Sequence, residues 1–362
     1  MFFVLFIVMF IVLIVGFVYL LTRFRRLVAH IYAPENKKGK ILAYVFAGIP
    51  LLGLIIWSIV SPYYGAVFSL HLMIFWLFTD IAASIIRLIV KRPPVHISRA
   101  VIALVLTVIY MGAGYFFAHH VFETDYKINS SKDVEPLRIV MFADSHVGAT
   151  FDAEGFEKYV KEMEQAGPDV VMIAGDFVDD DSCRADMVRS CEALGQMKST
   201  YGVIYVNGNH DKGYSNYRDF TYDDLISELK ANGVIVLEDE ILELNDSYTV
   251  VGRLDMAYED REEIGGLMSK TSPDKYTIVL DHQPRDYDAE AKASCDLVLS
   301  GHTHGGQMFP IGQFAVIFGI NDAIYGQKTI GNTDFIVTSG LGDWAIPYKT
   351  FCISEYVVID IA

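Results

Sequence analysis

The chain has 362 residues, enough for two domains or for one domain and a membrane part. Its hydrophobic share of 52% and mean hydropathy of +0.31 are high for a soluble protein. Residues 1–120 carry ten Lys/Arg and two acids, leaving 19 bases and 43 acids for residues 121–362, which excludes one uniform domain and leaves the second part without the basic face that nucleic acid needs.

Four apolar runs come first: Phe2–Leu21, Ile41–Val60, Ala66–Val90 and Ala100–Ala118. Each approaches the roughly 20 residues a helix needs to cross the hydrocarbon core. Residues 1–120 are therefore expected to form a four-helix transmembrane anchor. The first run has no basic stretch before it and no small-x-small site after it, so it does not read as a cleaved signal peptide. Were it cleaved, the other three runs would still anchor the chain. Loop 22–40 holds six Lys/Arg, Ser61–Gly65 none and Lys91–Arg99 three. The positive-inside rule puts the first and third loops in the cytoplasm. The expectation is a multi-pass protein of the cell membrane with its acidic part extracytoplasmic. Within the third run, Asp80, Ser84 and Arg87 share a helical face. Arg87 is expected to snorkel. Asp80 is open between interhelical hydrogen bonding and a lipid or ion contact.

Residues 121–136, with the polar segment "FETDYKINSSKDVEP", read as a linker. A domain over 137–362 follows, in which apolar runs first alternate with helical stretches. Strands are expected at 137–143, 169–175 and 202–209, with helices at 153–166, around 184–198 and at 217–231. Past Val234 short apolar runs arrive with fewer helices between them: "VIVLE", "ILELN", "YTVVG", "YTIVLDH", "DLVLSGH", "FIVTSG" and "EYVVIDI". This is a mixed α/β domain with a strand-rich second half. Cys183 and Cys191 would be too far apart to bridge on one helix, yet a disulfide is permitted outside the cytoplasm, so that pair stays open. Cys295 and Cys352 lie in or beside apolar runs and are expected to be buried.

Ligand-type side chains collect where the strands run out. Strand 137–143 ends on "ADSH", with Asp144 and His146, which would point to one side if the chain stayed extended. The next ends on "GDFVDD", with Asp176, and the third on "NGNHD", with Asn209, His210 and Asp211. "DH" supplies Asp281 and His282, and "SGHTHGGQ" supplies His302 and His304. Ligands of open α/β sheets bind at that edge. A lone histidine at a strand end is more often structural, but five strand ends in this order are not a coincidence. Oxygen and imidazole donors without thiolate suit Mn, Fe or Zn. Seven donors exceed the need of one ion, whereas two ions bridged by one carboxylate would use them all. Gly301, Gly305 and Gly306 are expected to let the backbone turn and approach a ligand.

The series Asp144-x-His146, Gly175-Asp176, Gly208-Asn209-His210-Asp211, His282 and Gly301-His302-x-His304 resembles the calcineurin-like metallophosphoesterase superfamily. "SGHTHGGQ", with "DHQP" before it, is most similar to its bacterial membrane-associated branch, which includes UDP-2,3-diacylglucosamine hydrolase-like proteins. The resemblance covers about residues 137–360. It implies a four-layered α/β/β/α sandwich and two divalent metal ions, Mn2+ first, with Fe or Zn as alternatives. It implies one ion held by Asp144, His146, Asp176 and His304. The other would be held by Asp176, Asn209, His282 and His302. It further implies that His210 contacts the phosphate and protonates the leaving oxygen, with Asp211 orienting its ring. The expected activity is hydrolysis of a phosphodiester, pyrophosphate or phosphomonoester by hydroxide attack on phosphorus. The anchor suggests a lipid or lipid-linked substrate at the bilayer, and nucleic acid is not an expected partner. Two alternatives stand beside this reading: a phosphatase or nucleotide phosphodiesterase acting on soluble extracytoplasmic substrates, and a non-catalytic membrane partner protein that binds metal.

Overall fold

The structure is a computed structural model that describes residues 2–32, 36–90, 96–214 and 217–362, with the side chains of 2–9 and 96–97 left aside. The chain divides into two compact units, the first ending at Gly114 and the second covering Tyr115–Ala362.

The first unit is helical: α1 (Phe2–Tyr32), α2 (Lys37–Val60), α3 (Pro62–Val90) and most of α4 (His96–His119). Among the described residues three helices, not the expected four, are long and apolar enough to cross a membrane: Lys37–Val60, Pro62–Val90 and Ser98–His119. The described part of α1 fails because Arg23, Arg25 and Arg26 continue the helix beyond the apolar run. The early part of the predicted first span, and Lys91 and Arg92 of the predicted third loop, lie outside the residues whose side chains are described. On α2, Gly39, Ala43, Ala47 and Leu51 recur every fourth residue and are buried, the small-residue stripe that lets apolar helices approach closely.

Asp80 settles on the hydrogen-bonding side of its two expectations. It lies 2.6 Å from Arg23 of α1 and 2.9 Å from Arg99 of α4, and it accepts from the Tyr19 hydroxyl at 2.9 Å. A carboxylate among apolar helices demands such partners, because lipid offers none. Ser84 instead donates to the Asp80 carbonyl on its own helix, and Arg87 is exposed.

The second unit contains two six-stranded sheets. The first has the order β1-β12-β2-β3-β4-β5, and the second β10-β11-β9-β8-β7-β6. In chain order the strands are β1 (Val121–Ile128), β2 (Leu137–Phe142), β3 (Val170–Ala174), β4 (Val203–Val206), β5 (Ile235–Val236), β6 (Glu240–Glu243), β7 (Tyr248–Gly252), β8 (Tyr276–Leu280), β9 (Leu297–Ser300), β10 (Gly326–Ile330), β11 (Thr333–Val337) and β12 (Ser354–Ile361). Helices α5 (Ala153–Gln165), α6 (Arg184–Gln196) and α7 (Tyr222–Ala231) cover the outer face of the first sheet. Helices α8 (Ile264–Met268) and α9 (Tyr287–Lys292) cover that of the second. Between the sheets, Ile139, Met141, Met172 and Ile204 of one meet Val250, Ile278, Leu299 and Ile336 of the other in a single buried core. Each such side chain contributes about 1.5–3 kcal/mol. The four layers are those expected, and most strands fall where the apolar runs are. Helix α7 starts five residues late, where Thr221 and Asp224 form a capping box.

One expectation is corrected. The polar stretch read as a linker is in part a strand, because β1 pairs in parallel with β12, Val121 opposite Ser354 and Ile128 opposite Ile361. As an edge strand it has one hydrogen-bonding neighbour and leaves its other edge unpaired. Its polar side chains pair sideways instead: Thr124 donates to Glu355 at 2.5 Å, and Tyr356 donates to Glu123 at 2.8 Å. The four cysteines are free thiols, Cys183 exposed and Cys191, Cys295 and Cys352 buried, which removes the disulfide from consideration.

Candidate metal centre

Strands β2, β3 and β4 run parallel in the first sheet, as do β8 and β9 in the second. The loops leaving their C-terminal ends meet. His282, after β8, places Nε2 3.1 Å from Oδ2 of Asp176, after β3. His304, after β9, has Nε2 3.2 Å from Nε2 of His146, after β2. Donor atoms of Asp144, His146 and His304 lie within 4.8 Å of one another, and so do those of Asp176, His282 and His302. Asn209, after β4, is buried beside them. The two sheets thus bring together six of the seven residues expected to hold metal, and the seventh, Asn209, lies between Gly208 and His210, which both meet Asp176.

The local backbone is not the extended chain expected for Asp144-x-His146. Asp144, His146, Asp176, His302 and His304 all have φ between 40° and 71°. The left-handed region is uncommon for these residues and collects at functional sites. The turns swing each side chain over its strand end. The glycines of "SGHTHGGQ" turn the backbone as expected, with φ of 63° at Gly305 and 77° at Gly306. A Cβ on Gly301 would run into Ala143 and Asp144, and one on Gly306 into Gly312. They also make room for neighbouring protein.

Asp176 joins the two groups. Its Oδ1 accepts the His210 N–H at 2.8 Å, while Oδ2 faces His282 at 3.1 Å and His146 at 3.8 Å. Among the described residues, Nε2 of His282 and Oδ1 of Asn209 are buried without a hydrogen-bond partner. Buried polar atoms are rarely left so, and a divalent cation is a partner that would suit both. Nδ1 of His282 lies 2.7 Å from the Ala174 carbonyl, an arrangement that puts the proton on Nδ1 and leaves Nε2 its lone pair. Asn209 is turned the same way, since its Nδ2 donates to the Tyr214 hydroxyl at 2.9 Å and its Oδ1 is left for the site.

Burial lowers the pKa of His282 and His146, yet Asp176 beside the one and Asp179 beside the other raise both above the usual imidazole value, so a cation would have to displace a proton there. Burial would raise the pKa of Asp176, yet His282, His146 and His210 around it hold the carboxyl below its ordinary range. Burial pushes Asp144 up to about 6. Burial and the neighbouring His282 bring His302 down to about 3, and burial and His146 hold His304 well below its usual value. Both of these imidazoles are neutral near neutral pH, the form that binds metal.

The sequence from 137 to 306 matches the calcineurin-like phosphoesterase family. Residues 137–306 are those of a calcineurin-like phosphoesterase domain. It is similar to an uncharacterized metallophosphoesterase of Helicobacter pylori, at 32% identity over 60% of this chain and 58% of that protein. It is also similar to a transmembrane protein with metallophosphoesterase domain from Bos taurus, at 28% identity over 59% of this chain and 50% of that protein. The matched segment thus spans between half and three-fifths of these relatives. Among solved structures it resembles a dimetal phosphatase from Danio rerio, at 13% identity and a TM-score of 0.37, over 56% of this chain and 87% of that one.

One residue of the 137–306 segment has a role other than the one expected. Asp211 does not orient the His210 ring. Its carboxylate accepts from the backbone N–H groups of Asp176, Gly208 and Val178 at 2.9, 2.7 and 3.0 Å. It therefore fastens the β3 and β4 loops to each other. The His210 ring instead lies among His146, Tyr214 and Trp344, with centroids 5.0, 5.2 and 5.0 Å away.

The sequence reading missed the carboxylates behind the histidines. Oδ2 of Asp179 lies 3.2 Å from Nδ1 of His146, and Oδ1 of Asp343 lies 3.9 Å from Nδ1 of His304. Asp343 is in turn 3.3 Å from Lys349. The Lys349 ammonium is fully buried and donates to the carbonyls of Ser339, Gly340 and Gly342 and to the Ser354 hydroxyl. Such partners fix the orientation and basicity of a metal-ligating imidazole. A signal was present: Asp179 is the second acid of "GDFVDD", and Asp343 follows a further parallel strand, β11.

Proposed function

We propose that the chain is a membrane-anchored metallophosphoesterase that hydrolyses a phosphate ester of a lipid or lipid-linked substrate. The observation that carries the catalytic part is the position of Asp176, whose one free carboxylate oxygen faces histidines of both donor groups. On this reading Asp144, His146, Asp176 and His304 hold one divalent cation. Asp176, Asn209, His282 and His302 hold the other. Their oxygen and nitrogen donors fit Mn2+, with Fe or Zn as the other metals of suitable chemistry. When bound, such a pair supplies an acidified water and positive charge for the phosphoryl oxygens. His210, beside the donors but outside both groups, protonates the leaving oxygen as general acid. Asp211 keeps the β3 and β4 loops in register beneath it.

The lipid part of the reading rests on the three apolar helices of the same chain. The acidic composition of residues 121–362 also disfavours polyanionic nucleic acid. The test is a screen of the purified full chain with Mn2+ against an aryl phosphomonoester, an aryl phosphodiester and a lipid-linked pyrophosphate, each with and without detergent micelles. Preferential turnover of the lipid ester is expected. Turnover of soluble esters alone would support the soluble-substrate alternative. Two bound metals with no hydrolysis would support the non-catalytic one.

The positive-inside pattern supports a multi-pass arrangement with the phosphoesterase domain outside the cytoplasm. Cys183 is the exposed thiol among four, so it reports sidedness. A membrane-impermeant maleimide is expected to label it in intact cells or spheroplasts. Labelling only after lysis would reverse the orientation.

A further inference from the structure

The domain is acidic, yet from Gly305 to Asn321 it has no charged residue. This stretch holds a 3₁₀ turn (His304–Gly306) and helix α10 (Ile311–Ile317). Ile311, Phe314, Ile317 and Phe318 recur at i, i+3, i+6 and i+7, a single helical face. They are 50–74% exposed. The opposite side of α10 rests on the metal loop, where Gly312 meets Gly306, two residues from His304. The Phe351 ring, 76% exposed, lies 4.8 Å from that of Phe309, just before α10, and extends the surface. Trp344, half exposed, joins it to the site through its contact with His210. A contiguous apolar surface of this kind marks an interaction site.

The same unit indicates what covers it. The last turn of α4 belongs to the second unit. There the Tyr115 ring lies 6.3 Å from Tyr348, and the Ala118 carbonyl accepts from Ser354 at 2.9 Å. Tyr348 sits between Trp344 and Phe351 in one loop. The last turn of α4 from Tyr115 therefore packs at the loop that carries part of the exposed face. Trp and Tyr at this junction are the residues that favour the membrane–water interface.

We propose that α10 and the 344–351 loop rest in the interfacial layer of the bilayer that α4 crosses. The site then opens at headgroup level, and its substrate class is a phosphate ester whose lipid part stays in the membrane. The substrate clause rests on the function proposed above, whereas the docking clause does not. Apolar insertion is the mode open to an acidic domain, which gains nothing from anionic headgroups, and interfacial helices of this type bury about 5–10 Å deep.

The test uses the full chain in lipid vesicles, with Cys183→Ser as background and a fluorophore on Phe318→Cys or, as control, on Glu154→Cys of α5. Nitroxide-bearing lipids are expected to quench the label at 318 several-fold more than the label at 154. Equal quenching at the two positions would overturn the docking. Label-to-label coupling at 318 without lipid quenching would assign the face to a second copy of the chain and overturn it as well. A triple variant, Phe314→Ser, Ile317→Ser and Phe318→Ser, is expected to lose about tenfold or more of its turnover of the lipid ester in vesicles. Its turnover of a soluble aryl ester should be unchanged. Strong quenching at 318 together with no lipid-ester turnover in the unsubstituted chain would sustain the docking and remove the lipid-substrate reading alone.

Discussion

Asp176→Asn is expected to lower hydrolysis of every phosphate ester by about 10³-fold or more and to reduce the metal content below two per chain. Two bound cations contribute several kcal/mol to a phosphoryl transition state, and about 4 kcal/mol corresponds to three decades in rate. The geometry makes asparagine an informative replacement. Oδ1 of Asp176 already accepts the His210 N–H, and Oδ2 alone faces His282 and His146. An amide has one oxygen. If it keeps the bond to His210, its NH2 points at both donor groups, where a cation is repelled. If it flips, the His210 N–H loses its acceptor and the loops after β3 and β4 lose one of their ties, Asp211 supplying others. Metal analysis beside steady-state kinetics checks the prediction. Two metals per chain with activity within about tenfold of the unsubstituted protein would remove the bridging role.

His210→Ala is expected to lower kcat by about 10²–10⁴-fold, the usual contribution of a general acid, with metal content near that of the unsubstituted chain. The backbone N–H of residue 210, which Asp176 accepts, survives the change. Burial lowers the pKa of His210, and the nearby His146 adds to this against the pull of Asp176. The acid form is therefore present below that lowered pKa and is lost as the pH rises through it. In the unsubstituted chain kcat should fall on the alkaline side of this pKa, and the variant should lack that limb. The deficit should also be smaller for an aryl ester with a good leaving group, which needs less protonation. Loss of a metal in the variant would make His210 a ligand, a role that its position within 4.8 Å of donor atoms of His146 and Asp179 brings within reach.

Much of the site was legible in the sequence because each donor sits two to four residues past the end of a short apolar strand. Short buried strands announce themselves by composition, and a parallel sheet places their C-terminal ends along one edge. The order Asp144, His146, Asp176, Asn209, His282, His302, His304 therefore pointed to a common centre. The left-handed backbone at five of these seven residues was not legible. It follows from the packing around each turn, which no local pattern encodes. Asp211 shows the same limit: its residue type suggested a partner for His210, but its three backbone donors come from loops that approach one another only in the folded domain.

Composition and local pattern by themselves determined the division into a basic apolar part and an acidic part, the alternation of strands and helices, and the donor set. These depend on the chemistry of neighbouring residues, so they survive without any knowledge of contacts. Tertiary structure alone decided four other things. It made β1 an edge strand beside β12, more than 220 residues away, through ladder bonds that are indifferent to side-chain polarity. It put Asp179 and Asp343 behind His146 and His304. It gave Asp80 its two arginines from separate helices. It also left the apolar face of α10 exposed beside the metal loop. Apolar periodicity shows which side chains avoid water. Only the folded chain shows whether protein or something else has to cover them.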